Sequence, residues 1–298
     1  MSPVEAGLSV IIPCRADPLL GQTVRRILEQ ARALGVDDVE VLVVGDAVPA
    51  EIPVDSRVRW INPGTPLWPA ANRNRGLTAA SGATVVFLDA DCLPQPGWLD
   101  QIRLSRSESA VIRSGAIVLP TNSWIQACYN LAGFREYLAG LPQASRRSLP
   151  SFCLWGPRRA FLSVGGFDES LPTAEDLDFS VRLAQAGWRL EFDPRVRVCH
   201  QPTATTVAGL LRRGYRHGSR SIQVRRRYPG VFGAPPWSTW PLTLATLSPA
   251  ISAVYLLRTL RDSVGYRAAV ARCAVPIFLY RIAWCLGAAT GVRPRQYS

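Results

Sequence analysis

Residues 83–92, Ala-Thr-Val-Val-Phe-Leu-Asp-Ala-Asp-Cys, constrain the fold of this chain more than any other stretch. The β-branched and apolar run from Thr84 to Leu88 predicts a strand buried on both faces, the kind found in sheets covered by helices. Two carboxylates, Asp89 and Asp91, follow at once. Parallel sheets bind ligands beyond the carboxyl ends of their strands, so this pair is expected at the mouth of a crevice. If the strand continues, side chains two apart share a face. Two hard oxygen donors there suit a divalent cation and, through it, a diphosphate. Aspartate also serves as a turn or helix-cap residue, so the pair takes its meaning from its surroundings.

Those surroundings alternate strand and helix. Leu8 to Pro13 predicts a short strand, followed by the polar Cys14-Arg15-Ala16-Asp17. Gly21 to Leu34 carries Val24, Ile27, Leu28 and Ala31 at helical spacing, with Gly35 as its stop. A second buried strand, Val39 to Val44, ends at Gly45-Asp46, which completes a βαβ unit with its right-handed crossover. A strand at 58–61 and a helix from about Pro69 to Ala80 then lead into the Asp89 strand. Such alternation predicts an α/β layered domain. Farther on, the spacing predicts a helix from Trp98, a strand at 110–119 and an amphipathic helix at 124–141. Ser145 to Ser148 reads as a mobile loop and Gly165-Gly166 as a tight turn. A helix carrying Leu177, Val181 and Leu183 precedes two strands, 188–192 and 196–199, and then His200. Neither the dinucleotide nor the P-loop glycine pattern follows the first strand, so a nucleotide must be held by side chains and a metal.

Charge divides the chain unevenly. Residues 1–200 hold 20 Arg against 21 acids, whereas residues 201–298 hold 14 Arg against the single acid Asp262. Seven scattered cysteines without a Cys-x-x-Cys suit reduced thiols rather than a disulfide frame or a zinc site. The first residues lack a basic n-region and their apolar run is short, so a cytoplasmic catalytic part is expected.

The order of motifs resembles that of family 2 glycosyltransferases of the GT-A fold. It runs through Val10-Ile11-Ile12-Pro13, the strand ending at Asp46, Arg73-Asn74-Arg75-Gly76-Leu77 and Leu88-Asp89-Ala90-Asp91. Val164-Gly165-Gly166-Phe167-Asp168-Glu169 and Glu175-Asp176-Leu177-Asp178-Phe179 complete it, and the likeness covers roughly residues 8–200. The resemblance implies a Rossmann-like nucleotide-diphospho-sugar transferase domain over residues 1–202 and an inverting transfer assisted by a divalent metal, Mg²⁺ or Mn²⁺. It places Pro13, Arg15, Asp46, Arg73, Asp89 and Asp91 on the donor. Of these, Asp46 would recognise the nucleoside, Asp89 would lie on the ribose or metal side, and Asp91 would bind the metal. Arg73, at a helix start, would face a phosphate together with backbone amides. His200 is either a metal or diphosphate contact or a structural histidine, and Trp155 is either an aromatic platform for the acceptor or a core residue.

Glu175 and Asp176 have two readings. Acids in a first helical turn meet the helix dipole favourably. A sugar hydroxyl must also lose its proton as it attacks, and a placed carboxylate takes it. The resemblance makes Asp176 that base and Glu175 its neighbour. This chain departs from the family pattern at Gly45, where many relatives carry a second Asp, and at Asn72, which replaces a small residue.

Residues 203–298 read as a basic, apolar helical region. Arg212, Arg216 and Arg220 fall four apart on one helix face. That face is solvated, clamps the leaving diphosphate, or sits on anionic lipid headgroups. Gly209, Gly214 and Gly218 are expected to loosen the helix. The apolar run 242–257 is shorter than the ~20 residues a bilayer helix needs and Pro249 interrupts it, while 274–292 contains Pro276 and Arg281. Interfacial or re-entrant helices are expected rather than clean spans. The expected partners are a UDP- or GDP-sugar, a lipid-linked or other hydroxyl acceptor and an anionic membrane surface, with no nucleic acid. The expected place is the inner face of the cell membrane. The rival reading is a non-catalytic binding protein on the same scaffold, its basic tail holding nucleic acid or membrane. A nucleotidyltransferase is disfavoured because no glycine-rich, lysine-bearing loop follows the first strand.

Overall fold

A computed structural model of the protein describes residues 7–47, 52–106, 110–203, 206–232 and 240–291. In chain order the elements are β1 (Leu8–Pro13), α1 (Leu20–Ala33), β2 (Val39–Val44), β3 (Val58–Ile61), α2 (Pro69–Ala79), β4 (Thr84–Leu88), β5 (Cys92–Pro94), α3 (Trp98–Ser105) and β6 (Val111–Val118). They continue with α4 (Trp124–Phe134), β7 (Ala144–Ser145), β8 (Cys153–Pro157), α5 (Arg158–Ser163), α6 (Glu175–Gln185) and β9 (Arg189–His200). The last are α7 (Val207–Arg227), α8 (Pro241–Thr246), α9 (Ser248–Asp262), α10 (Arg267–Arg272) and α11 (Ala274–Thr290). Two compact units result: residues 1–118 with 142–201, and residues 119–141 with 202–298. Segment 119–141, which the sequence reading places in the first domain, thus belongs to the second unit.

The first unit is built on one mixed sheet, ordered β3-β2-β1-β4-β8-β6-β9-β5, with β7 paired to β9. β1 lies between β2 and β4, parallel to both, with Ile11 opposite Leu42 on one side and Phe87 on the other. Parallel alignment brings the ends of β1, β2 and β4 to one edge, so the segments after Pro13, Val44 and Leu88 share it. Val10, Ile11, Ile12, Val41 to Val44 and Val85 to Leu88 are fully buried. Helix α2 approaches β1 closely because residue 76 is glycine: a Cβ there would fall 2.3 Å from an Ile11 methyl carbon.

Two expected secondary-structure elements are corrected in this unit. Arg189 to His200 is one strand of twelve residues, not two. The break expected near Asp193 appears instead as a register shift in its pairing with β6, between Ser114 and Ala116. The expected loop at 145–148 is partly sheet: Ala144 and Ser145 pair with Phe192 and Glu191, and Arg146 N–H donates to the Leu190 carbonyl. A strand of two residues carries no periodicity, which is why pattern reading misses it.

In the second unit α7 packs along α11, and glycine makes that possible. A Cβ at Gly218 would stand 2.0 Å from the Trp284 carbonyl oxygen, and one at Gly287 would stand 1.9 Å from that of Tyr215. Gly214 and Gly218 therefore seat a neighbouring helix rather than loosen α7. Ile222 of α7, Leu244 of α8 and Trp284, Cys285 and Ala288 of α11 form a hydrophobic cluster. Among the described residues no helix is long and apolar enough to cross a membrane. Val292, the last residue of the second apolar run, lies outside the described residues.

Candidate active site

The carboxyl edge of β1, β2 and β4 gathers the acids. Strand β4 ends at Leu88, and Asp89 to Asp91 form a turn closed by the Cys92 N–H donating to the Asp89 carbonyl. The two carboxylates therefore do not continue a strand, and they part company. Asp89 turns to Arg73, whose Nη2 lies 2.6 Å from its Oδ1. Asp91 turns to His200, with Nε2 3.6 Å from Oδ2. Thr23 of α1 holds the turn from beneath by donating to the Ala90 carbonyl at 2.8 Å. Beyond it, the Gln201 N–H donates to the Asp91 carbonyl and so clips the end of β9 against the turn.

Arg73 is not at a helix start, as the sequence suggests, but in the fifth position of α2, which begins at Pro69. It is 3% exposed and already occupied. Its Nη1 lies 2.7 Å from Glu175 Oε1 while Nη2 holds Asp89, and its guanidinium sits over the Phe167 ring at 5.4 Å. Arg73 thus ties the Asp-x-Asp turn to the Glu-Asp motif, leaving its charge shared between two carboxylates rather than open to a phosphate.

The next residue, Asn74, does the same for the glycine pair. Its Nδ2 donates to the Phe167 carbonyl and to Glu169, and its Oδ1 accepts from the Phe167 N–H. Gly165 and Gly166 adopt φ of +74° and +72°, a left-handed turn, and a Cβ on Gly166 would fall 2.4 Å from Asn74 Oδ1. Asp178 of α6 is fully buried and pairs with Arg182, which also donates to the carbonyls of Val164 and Gly166. Phe87, Phe161, Phe167 and Phe179 pack ring to ring beneath these motifs.

Asp176 stands in the first turn of α6, half-buried, with Oδ1 accepting from the Leu177 N–H at 2.8 Å. Loss of water around its carboxylate, with the charge of Glu175 beside it, pushes its pKa up to about 7 against the pull of Arg73. A carboxyl that titrates there is poised to accept a proton near neutrality. Sequence reasoning missed a further acid, Asp17. It accepts from the Leu19 N–H at the head of α1, and burial, then the charges of Asp91 and Asp89, raise its pKa while Leu19 and His200 oppose. The polar run after β1 was the available signal. Among the described residues two non-glycines have positive φ, Ala16 at 53° and Ala174 at 65°. Each immediately precedes a site acid, Asp17 and Glu175. Left-handed backbone at a residue with a Cβ costs about 1–3 kcal/mol and concentrates at sites where side-chain aim matters.

Asp91, Cys92 and His200 each offer one donor atom, all within 4.8 Å of one another, a set whose chemistry suits a divalent cation. Asp89 is not in that group. Pro13 is half-buried at the end of β1, and Arg15 is exposed just beyond it. Asp46 is half-buried after β2, near enough to Cys14 to raise that thiol's pKa, behind burial and Asp17. The glycine before it is required: a Cβ at Gly45 would stand 1.9 Å from the Cys14 carbonyl oxygen.

Trp155 is corrected from acceptor platform to core. It is 2% exposed on β8, with its indole N–H donating to Ser105 Oγ at 3.0 Å, and presents no face to a sugar. Arg212 and Arg216 are exposed on α7, in the second unit.

Comparison with known proteins agrees with the motif order. The family model described as "Glycosyltransferase like family 2" matches residues 6–219. The Pre-mycofactocin glycosyltransferase of Mycobacterium tuberculosis, strains CDC 1551 / Oshkosh and ATCC 25618 / H37Rv, is 28% identical over 241 residues, covering 76% of this chain and 49% of that protein. Glycosyltransferase AglE of Haloferax volcanii is 28% identical over 155 residues, 52% of this chain and 50% of its own. The chain thus spans about half the length of the curated relatives it matches. Among solved structures, the mannosyltransferase PcManGT from Pyrobaculum calidifontis, in complex with GDP-Man and Mn²⁺, is similar with a TM-score of 0.61 at 20% identity, over 96% of this chain and 86% of that one. GalNAc-T7 with UDP, GalNAc and Mn²⁺ gives 0.52 at 15% identity, over 75% and 54%. These likenesses show a shared GT-A fold.

Proposed function

From the premise that the chain belongs to glycosyltransferase family 2, we propose that it moves a sugar from a nucleoside-diphosphate donor to an acceptor hydroxyl, with inversion. The observation that carries this reading is Asp176, a carboxyl of raised pKa beside Glu175, which Arg73 ties to the acidic turn after β4. Asp176 takes the hydroxyl proton, and the acceptor oxygen bonds to the anomeric carbon as that carbon's bond to the diphosphate breaks. The electron pair leaves with the diphosphate. The Glu175 carboxylate beside Asp176 favours protonation of the base as the reaction proceeds, and the charge of Arg73 opposes it. Pro13, Arg15 and Asp46 edge the nucleoside side of the crevice, Asp46 reading the base. Asp17, Asp89 and Asp91 line the diphosphate side.

Asp91 and His200 would hold a divalent cation, Mg²⁺ or Mn²⁺, which supplies a Lewis acid to the departing diphosphate. Donor complexes with GDP-Man or UDP in structural neighbours support a UDP- or GDP-sugar as the donor class. The test is release of free nucleotide from a panel of UDP- and GDP-sugars in the presence of hydroxyl acceptors. Release should require a divalent cation and stop in excess chelator. Donor binding without turnover across the panel would leave only a binding protein, and full turnover in chelator would remove the metal.

The second unit supports seating on an anionic membrane, with Arg212 and Arg216 among its contacts and a lipid-linked acceptor at hand. Val254, Leu257, Val275 and Leu279 are exposed apolar residues on its helices, in a region whose 14 Arg face one acid. Each basic residue near such a surface contributes roughly 1 kcal/mol. The full chain should sediment with anionic vesicles at low salt and return to the supernatant at high salt. Failure to sediment at low salt would exclude membrane seating.

A further inference from the structure

Cys92 stands directly across the β5–β9 ladder from His200, so both side chains leave the sheet on one face. The thiol sulfur lies 3.9 Å from Asp91 Oδ1, and the His200 ring is held by Phe152, stacked on it at 6.1 Å with 11° between planes. A carboxylate oxygen, a sulfur and an imidazole nitrogen thereby converge within 4.8 Å. Cys92 is fully buried.

We propose that Cys92 Sγ is a third protein donor to the cation held by Asp91 and His200, and that this oxygen, sulfur and nitrogen set favours Mn²⁺, Co²⁺ or Zn²⁺ over Mg²⁺. The inference rests on the metal-dependent reading above and deepens it. Magnesium is a hard ion that takes oxygen donors and parts reluctantly with its waters. Thiolate and imidazole suit later, softer divalent ions, whose affinities also rise along the first row from manganese. Cys92 would bind as the thiolate and give up its proton on binding, the charge of the cation offsetting the burial and the carboxylates of Asp91 and Asp89 that otherwise raise the thiol's pKa.

The test is titration of the full chain with Co²⁺, followed by absorption, beside Cys92→Ser, Cys199→Ser and Asp91→Asn. A sulfur-to-cobalt charge-transfer band should appear in the wild type and in Cys199→Ser and vanish in Cys92→Ser. Tampering with a supporting partner of a metal site costs about 10–100-fold in affinity, so loss of a direct donor should cost Co²⁺ and Zn²⁺ at least that, with Mg²⁺ affinity unchanged. Ligand-field bands that depend on Asp91 but bring no charge-transfer band would overturn the Cys92 assignment and leave the metal reading standing. No Co²⁺ uptake, or uptake indifferent to Asp91→Asn, would end both. Should Cys92→Ser not fold, the ¹¹³Cd resonance of the cadmium-loaded wild type reads sulfur ligation directly: a shift in the oxygen and nitrogen range alone would reject the donor.

Discussion

Asp176→Asn is expected to abolish most sugar transfer, by about 10²–10⁴-fold in kcat, while donor affinity stays within a few-fold of wild type. The amide keeps the size of the side chain and its acceptor for the Leu177 N–H, but it takes no proton at neutral pH. The pH profile gives the same residue a second signature. The folded pKa of about 7 lies above the ordinary 3.8, so the carboxyl is protonated and inactive as a base below neutrality. Transfer by the wild type should rise with pH through about 7 and level off above it. Residual activity of the asparagine variant should lack that limb. Linkage runs the other way for stability: above the ordinary carboxylate range the unfolded chain has released this proton and the folded one still holds it. Asp176 therefore lowers stability as pH rises toward 7. Equal turnover in the variant would remove Asp176 from the chemistry.

Arg73→Met should destabilise the protein by about 3–5 kcal/mol, the scale for removing one partner of a buried ion pair. The methionine fills much of the same volume over Phe167 but leaves Glu175 and Asp89 without their shared cation. Most of the cost falls on Glu175, which is 8% exposed as a residue. The Asp89 side chain is 30% exposed, so water offsets part of its loss. Denaturant unfolding measures the change, and a shift under 1 kcal/mol would mean that the two carboxylates do not depend on Arg73. Because Arg73 is also the cation that opposes protonation of Asp176, the activity limb should move to higher pH in any active fraction of the variant. A merely structural arginine would leave that limb in place.

Most strands and helices of the first unit were legible because their patterns need no partner to be recognised. A strand buried on both faces leaves an unbroken apolar run, and a helix buried on one face leaves a period of about 3.6 residues. Thr84 to Leu88, Val39 to Val44 and α1 appear where their apolar spacing puts them. Misread elements are those whose pattern depends on a distant segment. The two-residue strand β7 exists through β9, and the glycines of α7 acquire their purpose from the carbonyls of α11. Trp155 shows the same limit, since nothing local tells an aromatic platform from an aromatic core.

For the candidate site, sequence alone determined which candidate residues are present and in what order: the acids after β4, the Glu-Asp pair, and a histidine closing the last strand. Chemical type is a property of the residue itself, and motif order survives without coordinates. Only the tertiary structure decided how those acids are shared out, Asp89 to Arg73 and Asp91 to His200 and Cys92, and that Asp17 joins them. The reason is physical: charge, burial and proton affinity depend on distances across the sheet edge, and those distances are set by the parallel alignment of β1, β2 and β4 together with the antiparallel pairing of β5 with β9.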